Sequence, residues 1–235
     1  MLRFLFGEEP RHTGGLLLEA ITQMELYLSQ LQKRIATGDA DQHLYRKLEI
    51  WTAGLLGSLD ELEQSQYAAR RYGERVTSRY LSGMSTEETM DYYRHIYFDK
   101  NAFIRVFALL DKLGTFLNEW LKLGTGDIKK HYSYFTVLRV MQERRSEPRL
   151  TEQLTRIKER YREPMSRLRK RRNTEIHYMN SELQDDLRQS SAAYGQDIPL
   201  EDIRAQLADL DQGCEMVMRT LDAVYRQAAA VMRKR

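Results

Sequence analysis

The chain reads as an all-α protein, an antiparallel helical bundle with additional amino-terminal helices, and three observations predict this. Apolar residues recur at three- and four-residue steps through most of its 235 residues, the period of a helix with one face on a core. Only four prolines interrupt it, and strong helix formers fill the stretches between them. No segment reads convincingly as a strand or a repeat. At this length one sizeable core is enough, so residues 1–235 are taken as a single domain.

The first element carries Leu17, Ile21, Met24, Leu28, Leu31 and Ile35 at helical spacing and ends near Thr37-Gly38. Asp39 or Asp41 offers an N-cap for a second helix holding Leu44, Leu48, Trp51, Leu55 and Leu62. Gly54 and Gly57 within it suggest either a close neighbour or weak points. Ser85-Thr86-Glu87-Glu88 reads as a capping box. A long helix follows to about Leu123, with Ile96, Phe103, Phe107, Leu110 and Leu117 on its stripe and Asp99 among them. A further helix is predicted from Ile128 to Met141, before Arg145-Ser146-Glu147-Pro148 breaks the chain. Leu150 to Tyr161 is helical again, and Pro164 marks a kink or a fresh start. The next helix is expected to reach about Gln189, with a loop from Ser190 to Pro199. The last buries Ile203, Leu207, Leu210, Val217, Leu221 and Val224.

Composition narrows the function. Cys214 is the lone cysteine, so no disulfide forms within the chain and a reducing cytoplasmic setting is expected. The opening apolar run stops at Gly7-Glu8-Glu9, too short for a signal-peptide core. No run approaches the roughly 20 apolar residues of a membrane span. His12, His43, His95 and His131 fall on different elements without metal-ligand spacing, so no metal and no cofactor are expected. Nothing resembles a phosphate-cradling glycine loop or a serine nucleophile elbow.

The informative stretch is Arg169-Lys170-Arg171-Arg172-Asn173-Thr174-Glu175-Ile176-His177-Tyr178. Met165, Leu168, Ile176, Met179, Leu183 and Leu187 give it one apolar face. At about 100° per residue Arg172 projects near the centre of that stripe. An unpaired buried charge is costly, so this guanidinium must meet a carboxylate, a phosphate or water. Asp99 also projects inward, and pairing with Arg172 is the structural alternative; it is compatible with catalysis, since a carboxylate can hold the guanidinium in place. Glu175 is expected to face away. From Lys158 to Arg172 eight basic residues stand against two acidic ones, 8 − 2 = +6, twice the +3 of the entire chain. Such a block attracts a phosphate backbone, with Arg167, Arg169, Lys170 and Arg171 the candidate RNA contacts; more often such a run is a solvated helix face. Tyr92, Tyr93, Tyr97, Tyr132 and Tyr134 either stack on bases or, as is usual at helical spacing, pack in the core.

Cutting RNA without metal needs a group to take the 2′-hydroxyl proton and a cation to hold the phosphorane. Histidine suits the first role and arginine the second. Asn173 lies one turn from His177 and is placed to orient either group or the sugar. Five residues on a helix separate Arg172 and His177 by about 140° and ~7.5 Å along the axis. They converge either through arginine's reach or by two copies of the helix facing each other across a two-fold axis.

Arg172-Asn173-Thr174-Glu175-Ile176-His177 resembles the signature of the HEPN superfamily: arginine, a polar residue, variable residues, then histidine. These are small helical-bundle domains of toxin–antitoxin, CRISPR-associated and phage-defence systems. The helix around Tyr97-Phe98-Asp99-Lys100-Asn101-Ala102-Phe103 also looks like a core helix of that bundle. The resemblance covers residues 85–235, leaving residues 1–84 as an amino-terminal extension. It implies a metal-independent, homodimeric endoribonuclease with Arg172, Asn173 and His177 as catalytic residues and Asp99 in support. The implied product is a 2′,3′-cyclic phosphate, and an antitoxin or regulatory protein is a possible partner. Some members bind RNA or nucleotides without cutting, or serve as dimerising modules, so those readings stay open.

Overall fold

The computed structural model describes residues 2–11, 13–38, 41–177 and 199–234. Their helices, in order, are α1 (Leu2–Leu5), α2 (Gly15–Ala36), α3 (Gln42–Gly73), α4 (Thr86–Trp120), α5 (Thr125–Ile128), α6 (Tyr134–Glu143), α7 (Pro148–Arg160), α8 (Arg162–His177) and α9 (Ile203–Lys234). A 3₁₀ turn at Leu81–Gly83 precedes α4. Among the described residues no strand forms, and a single bridge joins Tyr80 to Pro199. The all-helical bundle read from the sequence is therefore the fold. The expected continuation of α8 to Gln189, with Met179, Leu183 and Leu187, lies outside the described residues, as do Asp39, His12 and most of the loop to Pro199.

Helices α3 and α4 run antiparallel along their lengths. Lys47 meets Glu119 at 2.9 Å, Lys112 donates to Ser58 at 2.8 Å and Ser65 to Asn101 at 3.2 Å, one number rising as the other falls. Helix α9 packs on α2, α3, α4, α7 and α8 and is the axis of the bundle. At its centre Tyr27, Phe116 and Tyr225, from α2, α4 and α9, put their rings 5.1 to 6.0 Å apart. Each such aromatic contact adds about 0.5–1.5 kcal/mol beyond the area it buries.

Some local expectations change. Gly54 and Gly57 face open space rather than a close neighbour. Ser85 Oγ caps α4 by accepting from the Glu88 N–H at 3.1 Å, but the box does not close. The Glu88 carboxylate turns back on the preceding loop, accepting the Thr77 and Ser78 N–H groups at 2.6 and 2.7 Å and the Ser78 hydroxyl at 2.7 Å. These bonds hold its pKa down at about 2. The helix expected from Ile128 to Met141 is two pieces, α5 and α6. The start of α6 is pinned by α4: Asp111 accepts the Tyr134 N–H at 3.0 Å, and Gly114 has no Cβ to strike the Tyr134 backbone.

Candidate active site

Helix α8 begins just after Tyr161, which is buried, and Pro164 sits in its first turn, where a missing N–H breaks no helical bond. Pro164, Met165 and Leu168 then face the core. Leu168 seats against Gly213 of α9, where a Cβ would come within 2.6 Å of its Cδ1. One turn later the inward side chains become charged.

Arg171, not Arg172, reaches Asp99. Its Nη2 donates to Asp99 Oδ2 and, at 3.1 Å, to Gln206 Oε1, and its guanidinium lies 4.8 Å from the centre of the Phe103 ring. Asp99 is 2 % exposed. Burial raises its pKa and the Arg171 charge opposes the rise. Beside this pair Lys100 meets Glu175 at 3.0 Å, so Glu175 faces α4 rather than away. The stripe read from sequence leaned on Ile176, which is 52 % exposed. Without Ile176 the buried face of α8 rotates towards Arg171 and Glu175.

Arg172 is half-buried, with its guanidinium 4.9 Å from the centre of the Phe107 ring. Among the described residues it makes no ion pair, and its buried Nε has no hydrogen-bond partner. Its charge acts on Asp111, whose pKa is raised by burial against the Tyr134 N–H and the charges of Arg172 and Arg169. Asn173 is exposed on the same helix. His177 is the last residue of α8, and its side chain lies outside the described atoms.

The other candidate RNA contacts diverge. Arg167 grips Asp209 of α9 through two bonds, at 2.7 and 2.6 Å. Arg169 lies over the Phe135 ring, 4.9 Å from its centre, and Lys170 is exposed. Tyr92 and Tyr134 are fully buried, which suits packing; Tyr97 is 63 % exposed. Cys214 is buried and its thiol pKa is pushed well up by burial, so it is no nucleophile.

Sequence reasoning missed a polar row on α4. Asp91, His95 and Asp99, spaced by four, are all buried on one face. Arg94 and Arg75 hold Asp91 at 3.0 and 3.4 Å. His95 Nδ1 lies 2.8 Å from the Ala69 carbonyl, which can only accept, so Nδ1 carries the hydrogen. Gly73 has no side chain to strike that ring. The signal was the four-residue spacing itself.

Among the described residues no three His, Cys, Asp or Glu side chains gather as metal ligands, and no helix is long and apolar enough to cross a membrane. A family model described as Cthe2314-like HEPN matches residues 51–229. The chain belongs to the HEPN family. The HEPN match begins within α3 and ends within α9, taking in α4, α8 and every contact between them. HEPN membership supports an RNase or nucleotide-related role. No curated protein and no solved structure matches the chain.

Proposed function

We propose that this HEPN protein is a metal-independent endoribonuclease of a toxin or defence type, acting as a homodimer. The observation that carries the reading is Arg172: a guanidinium seated on Phe107 with no ion pair among the described residues, five residues before His177 on one helix. A half-buried cation with no ion pair among the described residues suits a phosphate that arrives from outside. The adjoining Arg171 is already neutralised by Asp99 and anchors the helix instead.

In the proposed reaction His177 takes the proton of a ribose 2′-hydroxyl. The 2′-oxygen then attacks the adjacent phosphorus, and Arg172 holds the non-bridging oxygens as charge builds. The bond from phosphorus to the 5′-oxygen breaks, and that oxygen leaves with a proton from imidazolium. The products are a 2′,3′-cyclic phosphate and a 5′-hydroxyl, with no change of oxidation state. The ~140° between the two side-chain roots favours a cleft shared by two copies of α8. Arg169 and Lys170, exposed on the same helix, supply sequence-independent attraction for the strand.

Cleavage of RNA in EDTA by the wild type and by Arg172→Ala and His177→Ala variants tests this. Each substitution is expected to lower the rate by roughly 10²–10⁴. Full RNA binding with no product from the wild type would leave a binding module in place of the nuclease.

A further inference from the structure

A cleft of about 330 Å³ opens between α4 and α8, bounded on its far side by Glu201, just before α9. Ile96 and the edge of the buried Phe103 give it an apolar side, and the polar side chains of Asp99, Arg171 and Glu201 line it with them. That combination of size and lining suits one aromatic heterocycle with its sugar. The polar groups are only partly spent. Asp99 gives Oδ2 to Arg171, while its buried Oδ1 has no partner among the described residues. Arg171 spends Nη2 on Asp99 and Gln206, while its buried Nη1 has none among the described residues. Glu201 accepts from the fully buried Tyr92 hydroxyl at 2.8 Å, which fixes a second carboxylate on the wall. At the mouth Lys170 is exposed and makes no ion pair among the described residues.

We propose that this cleft binds a guanine base, with Asp99 and Glu201 accepting from its N1–H and 2-amino group, Arg171 donating to O6, Ile96 against the ring and Lys170 near the phosphate. Two acceptors beside one donor favour guanine among the RNA bases. Guanine alone presents an acceptor and two donors along one edge. Adenine and cytosine would turn a ring-nitrogen lone pair on a carboxylate, and uracil has one N–H between two carbonyls. A buried polar site discriminates strongly against a ligand that leaves its groups unpaired. As recognition of a base within RNA, the proposal rests on the nuclease reading above; as affinity for a free guanine nucleotide, it does not.

Calorimetric titration of the His177→Ala protein with GMP, IMP, AMP, CMP and UMP tests the site apart from turnover. GMP should bind at least about tenfold more tightly than the others, including IMP, which differs only in lacking the 2-amino group. Ile96→Trp fills the cleft without removing a charge, and should abolish GMP binding while leaving the melting temperature of the protein near that of the parent. Equal affinities for all five nucleotides, or GMP binding indifferent to Ile96→Trp, would overturn the proposal. A second arm compares wild-type cleavage of an oligoribonucleotide containing a single guanosine with its inosine-substituted twin. A drop at that position assigns the base to RNA. Selective GMP binding with unchanged cleavage assigns the site to the free nucleotide. Selective GMP binding without cleavage of any RNA defeats the nuclease and keeps the pocket, and cleavage without GMP selectivity does the reverse.

Discussion

Arg171 and Arg172 are neighbours in sequence with opposite electrostatic fates, and that difference is measurable. Arg171 is 18 % exposed and its partner Asp99 3 % as side chains. Removing one member of so buried a pair strands the other charge in low dielectric, which costs about 3 kcal/mol. Asp99→Ala should therefore lower the urea-unfolding free energy by about that amount. Arg172→Leu should cost under about 1 kcal/mol, because only one cation–π contact is lost and the new side chain still covers Phe107. The activity assay should reverse the order, with Arg172→Leu inactive although well folded. If instead Arg172→Leu unfolds the protein as severely as Asp99→Ala, Arg172 is the structural cation and its catalytic assignment fails.

At the scale of elements, the start of α4 depends on Glu88. Its carboxylate pKa lies at about 2 because Thr77 and Ser78 donate to the charged form. A lowered folded-state value means that the unfolded chain binds the proton first, so the stabilisation is present above the ordinary glutamate value and is lost as pH falls towards 2. Glu88→Gln should cost on the order of 1 kcal/mol at neutral pH, well below what the shift alone would imply, since the group is only half-buried and solvent screens it. Melting temperatures of variant and parent should converge between roughly pH 4.5 and 2; curves that stay parallel through that window would show that these bonds contribute nothing.

Glu88 also marks where sequence reading ends. Ser85 and its helix were legible because an N-cap is a local pattern; the direction of the glutamate was not, since Ser78 and Thr77 lie ten and eleven residues away on a returning loop. The same holds for α6, whose true start is set by Asp111 and Gly114 on another helix. Long helices such as α2, α4 and α9 were legible because each repeats its apolar period many times. The short basic helix offered few apolar residues, and one exposed isoleucine was enough to turn its inferred face. Asp99 does project inward as its spacing suggests, but the cation it meets is Arg171, one residue from the Arg172 weighed for that pairing. On a helix that is a rotation of about 100°.

For the whole molecule, the proposed chemistry requires a histidine and an arginine on one helix to reach the same phosphate. If two copies form one composite cleft, activity belongs to the dimer and must show it in two ways. Specific activity should fall on dilution below the dimer dissociation constant, in step with the loss of dimer seen by analytical ultracentrifugation. Mixing wild type with an equal amount of inactive His177→Ala protein, after exchange of subunits, gives about one quarter wild-type dimers and about one half mixed dimers. Where both imidazoles of the shared cleft are needed, one as base and one as acid, activity should drop to about a quarter of that of the same total chain as wild type. Where each subunit works alone, it should stay near a half. A value of about a half, together with activity that does not change on dilution through the monomer range, would assign the chemistry to one subunit. Arginine's own reach would then have to close the gap that the two-fold arrangement is invoked to explain.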